Sequence, residues 1–151
     1  MRILVTGSRD WLDPRAVWAQ LDAAAAEFGH DGLVVSDGEC PTGADAHSKA
    51  WALAHRHLGV VHDPHPADWD SCGWNCPPRQ HRRRKQPGDV HHPGMLEDYC
   101  PTAGPRRNAR LVALRPRAVR CLAFPLGRSA GTRGCMALAR AAGIPVKEIA
   151  P

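Results

Sequence analysis

The sequence of 151 residues is poor in aromatic side chains, which make up 5% of it. Alanine, valine and leucine must therefore fill most of any core. The chain also lacks an apolar run near the ~18 residues of a membrane helix. Its first ten residues, MRILVTGSRD, reach a glycine and charges too early for a secretory signal. We therefore expect a soluble, cytoplasmic protein, whose six cysteines serve metal binding, reactivity or burial rather than disulfides.

What the chain does have is an excess of positive charge and many turn-forming residues. The net charge is +5 and the pI is about 9.1, which favours an anionic partner such as a nucleotide, a nucleic acid or a phosphate group. Glycine and proline number 14 each, so turns are frequent. With 43% hydrophobic residues the chain can build one core at this length, and we expect a single domain over residues 1–151.

Short apolar runs alternate with helical patterns along most of the chain. This alternation predicts an α/β fold of three layers, with a parallel sheet of about five strands covered on both faces. In the first helix, Asp13 is suited to cap the start, Pro14 to the first position, and Gly29 to the end. The predicted strands span residues 3–6, 33–36, 60–62, 119–124 and 144–149. The predicted helices span residues 14–28, 44–57, 105–114 and 132–142.

Two glycine-marked loops follow the first and fourth predicted strands, Gly7-Ser8-Arg9 and the segment FPLGRSAGTRG at residues 124–134. Either loop alone could be a plain turn. Both lie beyond the carboxyl ends of strands, however, where ligands of parallel sheets bind. Backbone amides and glycines there favour phosphate binding. The pattern is not Gly-x-Gly-x-x-Gly, so a standard dinucleotide site is not predicted.

Five segments in this order, GSRDW, CPTGADAHSKAWA, HPADW, AGPRRNARLV and FPLGRSAGT, together resemble the SLOG superfamily. They are most similar to its small YspA-like branch of bacteria and phages. The superfamily joins LOG-type phosphoribohydrolases with DNA-processing proteins. The resemblance implies a Rossmann-like fold and a nucleotide-derived ligand, a phosphorylated nucleoside such as one related to NAD or ADP-ribose. The pocket residues that it implies are Gly7, Ser8, Arg9, Gly43, Asp45, Asp68, Trp69, Arg107, Asn108, Gly127, Ser129, Gly131 and Thr132. We also expect a homo-oligomer.

The sequence leaves open whether the protein is an enzyme. LOG-type hydrolases carry a Pro-Gly-Gly-x-Gly-Thr-x-x-Glu motif whose glutamate serves glycosidic cleavage. Here Leu126 follows the proline, and Cys135 stands at the glutamate position. Because this chemistry needs a carboxylate, a thiol is a poor substitute. Asp45 and Asp68 are the candidate catalytic carboxylates, although each could equally cap a helix or hold a turn.

Residues 72–100 interrupt the α/β pattern and form an insertion that is rich in proline and charge and poor in apolar groups. Such a segment buries too little surface to offset its ordering entropy unless a metal holds it. Cys72, Cys76, His81 and Cys100 could form a closed Cys3His zinc site, with His91 or His92 as alternatives to His81. We predict that this zinc is structural. The alternative is a disordered loop with incidental cysteines.

The run Arg82-Arg83-Arg84-Lys85 lies inside this insertion. It could contact phosphates and make the protein a non-enzymatic nucleic-acid binder that uses a zinc-held basic loop. A solvated loop is the commoner role of such a run. Trp74 and Tyr99 are the few nearby aromatics that could stack on bases, which disfavours this alternative.

Overall fold

The computed structural model describes residues 1–77 and 80–151 and confirms the predicted α/β architecture. Five parallel strands form one sheet in the order β3-β2-β1-β6-β7. A separate antiparallel pair, β4 and β5, lies in the insertion. The strands are β1 (Arg2–Gly7), β2 (Val34–Asp37), β3 (Val61–Pro64), β4 (Arg83–Arg84), β5 (Asp98–Tyr99), β6 (Arg120–Phe124) and β7 (Val146–Glu148).

Four α-helices alternate with these strands as the sequence pattern predicts. They are α1 (Pro14–Phe28), α2 (Gly43–Ala54), α3 (Ala103–Val112) and α4 (Ala130–Ala141), and a 3-10 turn (Arg56–Leu58) follows α2. Asp13 caps α1 by accepting a hydrogen bond from the Arg15 N–H at 3.0 Å, and Gly29 ends the helix with φ 83°. In the parts of the chain that the structure describes, no helix combines the length and apolarity needed to cross a membrane.

Side chains along β1 alternate between two apolar layers. Ile3 and Val5 face α1 and α2, where they join a cluster that includes Trp51. Leu4 faces the opposite side, among residues of α3, α4 and the following segments such as Ile144. All five side chains are at most 2% exposed. Burial of each such side chain contributes about 1.5–3 kcal/mol, so both helical layers are held firmly against the sheet.

The strand order places the predicted loops side by side. β1 pairs with β6 in parallel, with Gly7 opposite Phe124. The connection after β1 leads to the α1 face of the sheet, whereas the connection after β6 leads to the α4 face. A crevice therefore opens between the two loops at the carboxyl edge, as in other doubly wound sheets.

The insertion between β3 and α3 contains the β4–β5 pair, which the sequence did not predict. Arg83 pairs with Tyr99 and Arg84 with Asp98. An arginine run carries little strand propensity. The pairing depends instead on tertiary contacts, including the two hydrogen bonds that the Asp70 carboxylate accepts from the backbone of Met95 and Leu96.

Candidate functional site

A cleft of about 620 Å³ opens at the carboxyl edge of the sheet. The loops after β1, β2 and β6, the first turns of α3 and the insertion surround it. It falls within the size range of small-molecule sites. Asp68 is exposed and does not line it, and neither do Gly43 and Gly127. The sequence-predicted residues that line it are Gly7, Ser8, Arg9, Asp45, Trp69, Arg107, Asn108, Ser129, Gly131 and Thr132.

The first loop is tightly packed against its neighbours. The Ser8 N–H donates to the Phe124 carbonyl at 2.9 Å, and Ser8 Oγ accepts from the Asp10 N–H at 3.1 Å. A Cβ on Gly7 would lie 2.4 Å from Ala44 Cβ, and one on Gly43 would lie 2.2 Å from the Ser8 carbonyl oxygen. These two glycines are therefore required by the approach of α2 to the loop.

In the loop after β6, hydrogen bonds from Ser129 and Arg133 hold the backbone carbonyls. Ser129 Oγ accepts from the Leu126 N–H at 2.8 Å and donates to the Leu126 carbonyl at 2.7 Å. Arg133 donates to the carbonyls of Gly127 and Arg128 at 3.0 and 3.1 Å. The first amides of α4 have no partners within the helix, so they present partial positive charge at the cleft.

Two non-glycine residues of the cleft adopt left-handed backbone conformations. Glu39, just after β2, has φ 53°, and Ser129, before α4, has φ 36°. Each conformation costs on the order of 1 kcal/mol for a residue with a side chain. Both residues line the cleft, so the local strain is concentrated where the loops meet.

Arg107 and Asn108 on α3 connect several loops of the cleft. Arg107 Nη1 donates to the carbonyls of Gly38 and His65 at 2.7 and 3.2 Å, and Nε donates to Asn108 Oδ1 at 2.8 Å. Asn108 Nδ2 in turn donates to the Gly131 carbonyl at 3.3 Å. The chain of bonds thus runs from the end of β2 through α3 to the start of α4.

Asp45 and Asp37 form a buried carboxyl pair below the cleft. Asp45 is 7% exposed, lines the cleft, and accepts a hydrogen bond from the Cys40 N–H at 3.2 Å. Asp37 is fully buried and accepts from Ser48 Oγ at 2.8 Å and from His62 Nε2 at 2.9 Å. Burial, reinforced by the charge of Asp37, raises the pKa of Asp45 to about 7. Asp45 can therefore hold or release a proton near neutral pH.

Cys135, at the position of the LOG-type glutamate, does not reach the cleft. It is fully buried beneath α4 in the apolar cluster with Leu4 and Leu111. Burial raises the pKa of its thiol. A neutral thiol in this position packs as a small apolar group.

The insertion forms one wall of the cleft, with residues that the sequence did not assign to the site. Arg83, His91, His92 and Tyr99 all line it. His91 Nε2 lies 3.1 Å from Thr42 Oγ1, which itself donates to the Arg9 carbonyl, so the insertion reaches the loop after β1. No periodic pattern in the sequence marks these residues as part of the cleft. The only signal is the dipeptide His91-His92, whose side chains the sequence suggests as alternative metal ligands.

The four predicted metal ligands lie together at the base of the insertion. Cys72, Cys76, His81 and Cys100 have donor atoms within 4.8 Å of one another. His81 Nε2 is 3.3 Å from Cys72 Sγ and 3.4 Å from Cys100 Sγ, and the sulfurs of Cys76 and Cys100 are 3.7 Å apart. This cluster could hold a metal ion.

Two arginines and a threonine surround the sulfurs of the cluster. Arg82 Nη1 donates to Cys72 Sγ at 3.3 Å, and Arg106 Nη1 to Cys76 Sγ at 3.5 Å. Burial opposes ionisation of Cys100, but hydrogen bonds with Thr102, His81 and Arg106 lower its pKa to about 5. The surroundings thus lower the pKa of Cys100 and of Cys76 and favour their thiolates, the form in which cysteine binds metal.

The basic run is only partly available to solvent. Arg82 is bound internally, to the Asp70 carbonyl at 2.9 Å and to Asp98 Oδ1 at 3.0 Å. Arg83 lines the cleft, whereas Arg84 is exposed with its guanidinium 4.0 Å from Glu97. These contacts do not favour the nucleic-acid hypothesis, which stays a prediction.

The sheet order and the cleft at its switch point define a Rossmann-like protein of the SLOG type. Residues 1–71 match the YspA, cpYpsA-related SLOG family. The chain is also similar to the Gene 61 protein of Mycobacterium phage D29, with 40% identity over 149 residues, 96% of this chain and 93% of that protein. The chain therefore belongs to this SLOG family, as its sequence motifs indicated. No solved structure matches it.

Proposed function

We propose that the protein binds a nucleotide or nucleotide-derived ligand in the cleft, with the phosphates at the loops after β1 and β6. The supporting observation is that both glycine-marked loops line one cleft at the switch point of the sheet. Arg9 lies at the first loop, and its guanidinium makes no hydrogen bond within residues 1–77 and 80–151, so it can bind a phosphate in two-pronged fashion.

A thermal-shift screen with AMP, ADP, ADP-ribose and NAD tests this proposal. We expect at least one of them to raise the melting temperature of the wild type, and Arg9→Ala to reduce the shift. Arg15→Ala is the matched control, because the Arg15 side chain is 93% exposed and lies outside the cleft. Absence of any shift with wild type, confirmed by calorimetry, would overturn the proposal.

Among the carboxylate residues that line this cleft, Asp45 is the one whose pKa suits it to donate a proton near neutral pH. Glycosidic cleavage needs a carboxyl group beside the scissile bond. Cys135 is buried away from the cleft and Asp68 does not line it, whereas Asp45 does so with a pKa near neutrality. We therefore propose Asp45 as the general acid if the ligand is a substrate. Loss of ribohydrolase turnover in Asp45→Asn, with ligand binding retained, is the expected result.

We further propose that the cluster of Cys72, Cys76, His81 and Cys100 binds zinc as a structural site. Tetrahedral zinc with Zn–S bonds of about 2.3 Å separates two sulfurs by about 3.8 Å. The 3.7 Å between Cys76 Sγ and Cys100 Sγ fits this geometry. Three thiolates and a neutral imidazole around Zn²⁺ leave one negative charge, which Arg82 and Arg106 balance. Four protein ligands leave no open position for catalysis.

A further inference from the structure

Three aromatic rings from the insertion and its flank meet in one wall of the cleft. The imidazole of His92 stacks on the ring of Tyr99, with centroids 3.8 Å apart and planes 10° apart. The indole of Trp69 meets both rings edge-on, at 4.7 Å from His92 and 5.8 Å from Tyr99. All three residues line the cleft. We call them the aromatic wall.

The aromatic wall is held by contacts that fix the rings. Asp89 Oδ2 lies 2.8 Å from His92 Nδ1, and Asp89 Oδ1 accepts from the His92 N–H at 3.1 Å. Trp69 packs on the start of α3, where a Cβ on Gly104 would lie 3.0 Å from Trp69 Cη2. The rings are therefore ordered before any ligand arrives, and preorganised surfaces bind at lower entropic cost.

The cleft has two chemically different sides. Loop amides and Arg9 offer hydrogen bonds and positive charge near β1 and β6. The other side carries the three rings of the aromatic wall, with Pro93, Pro101 and Arg83 beside them. A nucleotide has the same division, with an anionic phosphate at one end and a flat heterocycle at the other. Aromatic side chains stack on any base, because every base has a π face.

We propose that the aromatic wall binds the base of the ligand, and that the insertion thereby forms the base subsite of the cleft. This inference rests on the proposed nucleotide function and adds a subsite to it. One member of the cysteine and histidine cluster, Cys100, is linked to two residues of the aromatic wall. Cys100 follows Tyr99 in the chain, and its N–H donates to the Trp69 carbonyl at 2.9 Å.

The test compares AMP with ribose 5-phosphate, which lacks a base, by isothermal titration calorimetry on the protein as purified. AMP is expected to bind at least about tenfold more tightly than ribose 5-phosphate. Tyr99→Leu is expected to remove most of that difference and to leave ribose 5-phosphate unchanged. Tyr99→Phe, which keeps the ring, should retain the affinity for AMP.

Trp74→Leu is the matched control, because Trp74 is an aromatic of the same insertion that is 98% exposed and outside the cleft. It should bind AMP like the wild type. Equal affinities of the wild type for AMP and ribose 5-phosphate would overturn the base subsite, even if Tyr99→Leu failed to fold. A Tyr99→Leu variant that loses affinity for AMP and for ribose 5-phosphate by the same factor would also overturn it. In these cases the proposed function stands, whereas no binding of AMP, ribose 5-phosphate, ADP, ADP-ribose or NAD would overturn both.

Discussion

Arg107 Nη1 donates a hydrogen bond of 2.7 Å to the carbonyl of Gly38, and this contact joins α3 to the end of β2. A Cβ on residue 38 would lie 2.1 Å from the same nitrogen, so only glycine leaves room for it. The sequence motifs indicated Arg107 as a ligand contact. In the structure Arg107 lines the cleft, and its Nη1 and Nε also bond to the protein, so the residue shapes the cleft as well; its contact with a ligand stays a prediction.

Replacement of Arg107 should therefore reduce stability. Arg107→Ala removes bonds to the part-buried carbonyls of Gly38 and His65 and to Asn108 Oδ1, and we expect a loss of about 1–3 kcal/mol in the free energy of unfolding. Lysine keeps the charge but lacks the guanidinium fork, so Arg107→Lys should lose a similar amount. Urea denaturation of both variants measures this loss. Arg110→Ala, on the exposed side of the same helix, should be neutral, and wild-type stability of Arg107→Lys would contradict the bridging role.

The proposed zinc site predicts a fixed metal content. Plasma emission analysis of the purified protein should find about one zinc per chain. Cys76→Ser and Cys100→Ser should lose it, because a hydroxyl does not replace a thiolate ligand. Chelation should lower the melting temperature of the wild type, since metal binding stabilises the ordered insertion.

Cys40→Ser serves as the control for these variants. Cys40 is outside the cluster, so its replacement should leave the zinc content unchanged. A wild-type protein that is folded and free of metal would contradict the zinc proposal.

The strands and helices of the sheet layers could be predicted because short stretches of consecutive residues mark where each one begins and ends. The run Ile3–Thr6 is apolar and ends at a glycine, and the Asp13–Pro14 cap marks the start of α1, so strand and helix positions agree with the structure within a few residues. The clustering of Cys72, Cys76, His81 and Cys100 could be predicted for the same reason, because cysteine and histidine spacing is read directly from the chain.

The residues of the insertion that line the cleft could not be predicted, because their position depends on contacts between distant segments. His91 meets Thr42, which is 49 residues away, and Trp69 meets His92 and Tyr99 across the insertion. No periodic pattern marks such contacts. The burial of Cys135 is likewise a property of the α4 face, which motif alignment alone does not reveal.

Asp45 should make stability depend on pH. Its pKa is raised from the ordinary 3.8 to about 7 in the folded state, chiefly by burial, so the folded protein holds this proton more tightly than the unfolded chain. The resulting stabilisation is complete below about pH 4 and is lost as the pH rises to about 7. This shift in pKa corresponds to a change of at most about 4 kcal/mol in the free energy of unfolding.

Urea denaturation between pH 4 and pH 8 measures this effect. The free energy of unfolding of the wild type, relative to Asp45→Asn, should fall over that range, because asparagine keeps the Cys40 hydrogen bond and does not titrate. Asp68→Asn, at an exposed position, should show no such difference. A wild-type profile parallel to that of Asp45→Asn would show that folding does not raise the pKa of Asp45.

Cys135 allows a direct test of why the LOG-type glutamate is absent. The thiol is fully buried among apolar side chains between α4 and the sheet. Burial would oppose ionisation of a glutamate there, and its larger side chain would overfill the packed layer, so Cys135→Glu should destabilise the fold by about 3 kcal/mol or more and yield no hydrolase. Cys135→Ala should remain folded and keep the nucleotide-dependent rise in melting temperature, because the thiol is outside the cleft. A stable, active Cys135→Glu protein would mean that α4 can turn this position toward the ligand, in contrast to the packing described above.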